Sequence, residues 1–330
     1  MSPIRTVIVF AIAFGLRPVP ALADGTRTQP WPTGKVFVPK QDFSRSKDNE
    51  LDQTVLAANP RIYLYPDFDP GASDKILVIG LPGWGGRSEN FIWTLINGLK
   101  RPELSRRLVL AAIQDLQNGG PTYQGQGSRD HANVWDLGGD TVKAMRRFIS
   151  RISNKLGFLK VYLLGYSTGS YSGPMLATAV ARWTPKESYR MEGAIALGTG
   201  SPISVARLKD KNQRVLFIVV PTYRGEATDG KPMRSDQNNR QRAERNFKRL
   251  SADGAGIFLR HIESARRHID WHWGLLSQCR FFPKKVDPGR GYYPNYWMPN
   301  PETYEYVVAF IQGKSPPEKA APHPPQSCPN

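Results

Sequence analysis

The sequence predicts one doubly wound α/β domain with a mostly parallel central sheet of about eight strands flanked by helices. Apolar runs recur along the chain, and most of them are continuous rather than alternating, which is typical of strands buried on both faces of a sheet. The segments between these runs have helical periodicity. Such an alternation of strand and helix favours a parallel sheet whose ligand chemistry lies at the carboxyl ends of the strands.

The predicted elements cover nearly the whole chain, and no internal repeat or second core interrupts them. The predicted strands lie at 35–38, 61–65, 75–80, 107–113, 160–164, 193–197, 214–220 and 256–262. The predicted helices lie at 91–99, 140–156, 174–183, 235–250 and 303–311.

The first 23 residues resemble a secretory signal peptide. Arg5 precedes an apolar stretch from Thr6 to Leu16, and Ala21-Leu-Ala23 is a small-x-small cleavage site. A membrane anchor is the alternative, but the apolar run is shorter than the roughly 20 residues that span a bilayer, and Arg17-Pro18 interrupts it. We therefore expect cleavage after Ala23 and a secreted or periplasmic protein. A linker with a first strand (24–60), the main domain (61–313) and a Pro-rich tail (314–330) follow.

The chain of 330 residues is strongly basic, with a formal net charge of +17. Lysine and arginine concentrate in the helical stretches 143–151 and 234–249. These stretches are either solvated outer faces or a surface that attracts anionic envelope polymers or lipid headgroups. Nucleic acid is disfavoured as a partner, because basic and aromatic residues do not interleave in a known binding motif.

The two cysteines, Cys279 and Cys328, would meet oxidising conditions in an exported protein. A disulfide between them would tie the Pro-rich tail to the main domain, although spacing alone does not establish the geometry of a bridge.

The motif Gly165-Tyr-Ser-Thr-Gly169 follows a predicted strand directly and precedes a helical stretch. A serine hydroxyl is a weak nucleophile, so a strand–turn–helix bend that exposes Ser167 to a histidine fits nucleophilic catalysis. The two glycines suit a turn that brings backbones close together.

A serine nucleophile needs two backbone donors for the developing oxyanion. The amide of Thr168, directly after the serine, is one candidate. The glycine-rich turn Gly80-Leu-Pro-Gly-Trp-Gly-Gly86 supplies the other, and Trp84 is the residue expected to present it. A plain turn is the alternative. A phosphate loop is disfavoured, because Lys and Ser or Thr are missing at the required offsets.

The general base is expected in the segment after the last predicted strand, where His272 is the preferred candidate and His268 the alternate. A metal site made by these two histidines is disfavoured, because the helical context and a further ligand are missing. The orienting carboxylate is expected after the strand ending at Val220, where Asp229 is preferred and Glu226 is the alternate. The sequence points to no metal and no cofactor.

These motifs and their order resemble the α/β-hydrolase superfamily. The turn Leu81-Pro-Gly-Trp-Gly-Gly86 resembles its oxyanion turn, the motif around Ser167 its nucleophile elbow, and the order Ser167, Asp229, His272 its catalytic triad. The chain departs from the family pattern in two places. Pro82-Gly83 stands where many relatives have His-Gly, and the loop carrying the acid is longer than usual.

The interval between Leu197 and Arg214 is too short for the helical lid that many lipase-like relatives insert there. We expect an open site, covered at most by the loop from Gln114 to Gly139. The candidate substrate-binding residues are Tyr123 and Trp135 in that loop, together with Tyr166 beside the serine.

The resemblance implies a secreted serine hydrolase that cleaves a carboxylic ester through an acyl-enzyme on Ser167. The same apparatus also performs amide hydrolysis and acyl transfer. A non-catalytic binding protein of the cell envelope that keeps the fold is the competing class.

Overall fold

The computed structural model describes residues 35–37, 60–83, 88–113, 139–182, 188–198, 213–219, 234–252, 256–262 and 300–321. Eight strands lie in these ranges. They are β1 (Lys35–Phe37), β2 (Arg61–Leu64), β3 (Ile76–Leu81), β4 (Leu108–Ala112), β5 (Leu159–Tyr166), β6 (Tyr189–Leu197), β7 (Arg214–Val219) and β8 (Ile257–His261).

All eight strands belong to one sheet in the order β1-β2-β4-β3-β5-β6-β7-β8. The first two strands are antiparallel to their neighbours, and the remaining six run parallel. The predicted fold class, a mostly parallel sheet flanked by helices, is confirmed. The chain passes from β3 outward to β4 and then crosses to β5 on the other side of β3. This reversal leaves a crevice at the carboxyl ends of β3 and β5, where open α/β sheets bind ligands.

Six helices lie in the described residues. They are α1 (Ser88–Leu99), α2 (Pro102–Ser105), α3 (Gly139–Leu156), α4 (Thr168–Ala181), α5 (Arg234–Ser251) and α6 (Pro301–Ile311). None of these helices is long and apolar enough to cross a membrane.

The apolar core lies on both faces of the sheet. Alternate residues of β3 point to opposite faces: Val78 belongs to the cluster covered by α1 and α6, whereas Leu77 belongs to the cluster covered by α3 and α4. A third cluster joins α5 to β7 and β8. The central strands are buried along their whole length, as their continuous apolar sequences predicted.

Helix α4 differs from the sequence-based expectation. The helical periodicity predicted a helix from Pro174 to Trp183. The observed helix begins at Thr168 and contains Pro174 in its interior. Proline there removes one backbone donor, and Gly169 and Gly173 weaken the local helix propensity. Packing against β5 and β6 therefore decides where α4 begins.

Residues 314–321, which follow α6, pack against the sheet and against α6. The guanidinium group of Arg214 donates to the carbonyl of Phe310 at 2.9 Å and stacks over the ring of the same residue. Arg260, on β8, donates to the carbonyl of Pro317 at 2.5 Å. The amide of Ala320 donates to the hydroxyl of Tyr306 at 2.9 Å. Side chains of β7, β8 and α6 therefore hold residues 314–321 in place.

Tyr304 and Tyr306 offer a matched test of this packing. The hydroxyl of Tyr304 is buried without a hydrogen-bond partner, and burial raises the pKa of this phenol. We expect Tyr304→Phe to leave the free energy of unfolding unchanged or to raise it by up to about 1 kcal/mol, because the desolvated hydroxyl is removed. Tyr306→Phe should lower it by about 1 kcal/mol, because the bond from Ala320 is lost. Urea unfolding of both variants measures the difference, and a larger loss in Tyr304→Phe would contradict it.

Candidate active site

Ser167 lies at the turn between β5 and α4 with an unusual backbone conformation. Its φ is 55° and its ψ is −119°. Among the described residues it is the one non-glycine residue with a positive φ. A conformation of this kind costs on the order of 1–3 kcal/mol and persists only where the surroundings determine it strongly. The turn therefore has the sharp bend that lifts a side chain out of the end of a strand.

Hydrogen bonds fix the backbone on both sides of this serine. The amide of Ser167 donates to the carbonyl of Leu197, at the end of β6, at 3.0 Å. Its carbonyl accepts from the amides of Ser170 at 3.0 Å and Tyr171 at 3.2 Å. The side chain of Ser167 makes no capping hydrogen bond to α4 and is partly exposed. Its hydroxyl is not used to cap the helix that follows it.

The turn brings three backbones into contact at two glycines. A Cβ on Gly165 would lie 2.1 Å from the carbonyl oxygen of Gly169. A Cβ on Gly169 would lie 2.1 Å from the carbonyl oxygen of Leu81, the last residue of β3. Any side chain at either position would overlap backbone that cannot rotate away. The ends of β3 and β5 and the start of α4 are thus packed against one another directly.

Gly83, at the start of the turn after β3, lies against the side chain of Ser167. A Cβ on Gly83 would lie 2.7 Å from Cβ of Ser167 and 3.3 Å from its Oγ. Strands β3 and β5 are parallel neighbours, and Leu81 pairs with Gly165. The chain therefore leaves both strands at the same end of the sheet. The glycine-rich turn therefore begins beside the serine hydroxyl, where a serine nucleophile would need an oxyanion donor.

The start of α4 adds a second source of backbone donors. Thr168 is the first residue of the helix, so its amide is among the first-turn N–H groups that a helix leaves without an internal acceptor. The positive end of the helix dipole lies at the same place. This end of α4 favours negative charge, including the charge that develops when a hydroxyl attacks a carbonyl group.

Serine attack at the carboxyl end of a parallel strand is the chemistry that this geometry supports. The strand order, the antiparallel strands at one edge and the strained serine turn between β5 and α4 decide the fold. The chain has the α/β-hydrolase fold. Within it, the described residues contain no group of three or more His, Cys, Asp and Glu side chains that could hold a metal ion.

The other candidate site residues are placed only in part. The ring of Tyr166 is 3% exposed and belongs to the core cluster on the α1 and α6 side, so its contribution to substrate binding stays a prediction. The remaining candidates lie outside the described residues, namely Trp84, Tyr123, Trp135, Glu226, Asp229, His268, His272, Cys279 and Cys328. His261, which the sequence assigned to a strand, ends β8 and pairs with Val219.

Sequence reasoning missed two residues that contact Ser167. Gly83 was expected only as a permissive residue of the turn, yet its Cα faces the serine side chain. Ser170 carried no signal, although its hydroxyl donates to the carbonyl of Ser167 at 2.6 Å. The second contact follows from helical geometry, because a side chain at the third position of a helix can reach the carbonyl before its first turn.

Comparisons with known proteins give structural similarity only. No protein-family model matches the sequence, and no curated protein matches it. The structure is similar to brefeldin A esterase, a bacterial homologue of human hormone sensitive lipase, with 10% identity, a TM-score of 0.40, and coverage of 61% of this chain and 63% of that chain. This chain thus spans less than two thirds of that esterase.

Two further solved structures show similarity of the same order. Naproxen esterase from Bacillus subtilis has 11% identity and a TM-score of 0.40, with 75% of this chain and 88% of that chain covered. Poly(aspartic acid) hydrolase-1 from Sphingomonas sp. KT-1 has 12% identity and a TM-score of 0.37, with 61% and 85% covered. Values this low transfer no activity to this chain.

The glycines of α4 allow a direct test of the backbone contact in the elbow. Gly169→Ala should lower the free energy of unfolding by about 3 kcal/mol or more, since its methyl group would overlap the carbonyl of Leu81. At Gly173, one turn later, a Cβ would meet its nearest neighbour at 3.6 Å, an ordinary contact. Gly173→Ala should therefore be neutral or raise stability by up to about 1 kcal/mol through helix propensity. Denaturant midpoints compare the two, and an equal loss in both variants would show that the elbow is not closely packed.

Proposed function

We propose that the protein is a serine hydrolase that cleaves a carboxylic ester through an acyl-enzyme on Ser167. One observation carries this proposal: the strained turn at Ser167 lies against Gly83 and at the start of α4. A serine in this conformation costs stability and contributes no cap to its helix. Its position beside two sources of backbone donors fits a nucleophile.

In the proposed reaction, Oγ of Ser167 attacks the ester carbonyl while His272 accepts the hydroxyl proton. The backbone amides of Thr168 and Trp84 stabilise the oxyanion of the tetrahedral intermediate. His272 then returns the proton to the leaving alcohol as the bond to it breaks, and Asp229 stabilises the charged imidazole. Water repeats the sequence on the acyl-enzyme, releasing the acid and restoring the serine.

The topology supports the proposed order of acid and base. Strands β5 to β8 are parallel neighbours. The chain therefore leaves β7 after Val219 and β8 near Ile262 at the carboxyl ends of the strands, where Ser167 also lies. Three strand spacings, about 15 Å, separate β5 from β8. The chain from 263 to 272 can span about 33 Å when extended, and the chain from 220 to 229 can span the same distance. Both proposed partners are therefore within reach of the serine.

The proposal also covers location and substrate class. We propose an exported protein, on the evidence of residues 1–23, and an ester whose surroundings are anionic, because the net charge of +17 falls only to +15 when Arg5 and Arg17 are removed with those residues. Helix α5 agrees with that charge, because its described side chains include five basic residues and one acid, Glu244, which pairs with Arg240 at 2.7 Å. An amidase or acyltransferase with the same triad, and a non-catalytic binding protein, are the alternative functions.

A fluorophosphonate probe tests the nucleophile directly. We expect covalent labelling of the wild-type protein and none of Ser167→Ala, because the probe reacts only with an activated serine. Ser172→Ala is the matched control, since Ser172 is a buried serine on the same helix and should leave labelling intact. Intact-protein mass spectrometry gives the readout. Folded wild-type protein that remains unlabelled would contradict the hydrolase and support the binding protein.

Alanine variants of the two candidate histidines test the base. With one activated ester, His272→Ala should lower kcat by about 10⁴-fold or more, as loss of a triad base does. His268→Ala should retain most of the turnover. Asp229→Asn and Glu226→Gln form the corresponding pair for the acid, with the larger loss expected in Asp229→Asn. The assignment is wrong if His268→Ala alone abolishes turnover.

A further inference from the structure

The hydroxyl of Ser170 forms a short hydrogen bond within the elbow. Its Oγ donates to the carbonyl oxygen of Ser167 at 2.6 Å, and the Ser170 side chain is fully buried. The amides of Ser170 and Tyr171 donate to the same oxygen. Those two amide bonds belong to the ordinary first turn of a helix. The bond from the Ser170 side chain is additional to that turn.

The carbonyl that Ser170 binds belongs to the same peptide group as the amide of Thr168. The described residues contain no cis peptide bond, so the C=O of Ser167 and the N–H of Thr168 point in opposite directions across one rigid plane. A bond that fixes the carbonyl on one side therefore fixes the direction of the amide on the other. That amide is the oxyanion donor of the proposed reaction.

We propose that Ser170 is a positioning residue that aims the Thr168 amide at the oxyanion, an inference that rests on the proposed function of Ser167. The backbone at Ser167 is strained, so its peptide plane would rotate toward a relaxed conformation unless bonds oppose the rotation. The Ser170 hydroxyl opposes this rotation from inside the helix. Hydrogen bonds to a carbonyl oxygen also polarise the amide on the same peptide group, which strengthens it as a donor.

Thr178 provides a matched comparison within the same helix. Its Oγ1 donates to the carbonyl oxygen of Pro174 at 2.9 Å, and the residue is 1% exposed. Thr178→Val and Ser170→Ala therefore each remove one buried hydroxyl that donates to a main-chain carbonyl three or four residues earlier. Only the carbonyl bound by Ser170 shares its peptide group with the proposed oxyanion donor. The two variants separate a structural effect from an effect on catalysis.

The test measures kcat, KM, the inhibition constant of an alkyl boronic acid, and the melting temperature of the full chain. A boronic acid forms a tetrahedral adduct with the serine and uses the oxyanion donors as the intermediate does. Ser170→Ala should lower kcat about tenfold, raise the inhibition constant of the boronic acid by a similar factor and leave KM nearly unchanged. This loss of kcat is smaller than the roughly 10²–10³-fold loss that follows removal of an oxyanion donor. Thr178→Val should keep kcat and inhibition within about twofold of wild type and lose a similar amount of thermal stability.

Each outcome separates this inference from the proposed function. An active wild type in which Ser170→Ala behaves like Thr178→Val overturns the role of Ser170 and leaves the hydrolase intact. A folded wild type that neither turns over esters nor reacts with the fluorophosphonate probe overturns both. If Ser170→Ala does not fold, Ser170→Cys replaces it. A thiol of similar size but weaker donor strength should give an intermediate loss of kcat, and full wild-type activity in that variant overturns the inference.

Discussion

The direct contact of three backbones at Gly165, Gly169 and Leu81 is the constraint on which the candidate site depends. Because no side chain separates β3, β5 and the start of α4, their ends are held at a fixed distance from one another. Gly83, two residues after the end of β3, lies against the side chain of Ser167. Ser167, the proposed nucleophile, and Gly83, in the proposed oxyanion turn, are thus brought together by packing of the main chain. Their relative position does not depend on flexible side chains.

Hydrogen bonds to several elements hold Ser167 in its strained backbone conformation. Its amide is bound to the end of β6 and its carbonyl to the first turn of α4. Rotation of either peptide plane would break bonds to a different element, so the conformation is determined by the sheet and the helix together. The same bonds orient the amide of Thr168. The position of the Ser167 hydroxyl and the direction of the Thr168 amide, the proposed oxyanion donor, are consequently two results of one set of hydrogen bonds.

Much of the fold could be predicted from the sequence, because strands buried on both faces have continuous apolar sequences. The strands from β3 to β7 follow from that pattern, and the turn at Ser167 follows from its glycines. The start of α4 differs from the predicted one, since the helix begins at Thr168 and continues through Pro174, which the periodicity from residue 174 onward did not indicate. The contact between Gly83 and Ser167 depends on how β3 and β5 pack, which no local pattern records, whereas the bond from Ser170 to Ser167 is a local contact in the first turn of α4. Asp229 and Glu226 follow the same strand, so their order along the chain does not separate them.

The free energy that maintains the strained turn comes from the rest of the core. Burial of one large apolar side chain stabilises a fold by roughly 1.5–3 kcal/mol, and both faces of the sheet contain clusters of such side chains. A strain of on the order of 1–3 kcal/mol is therefore offset by about one buried residue. Glycine at position 167 would adopt the same turn without strain and would lose no capping bond. The turn itself therefore does not require a serine, and the proposed role of Ser167 as a nucleophile accounts for a strained serine at this position.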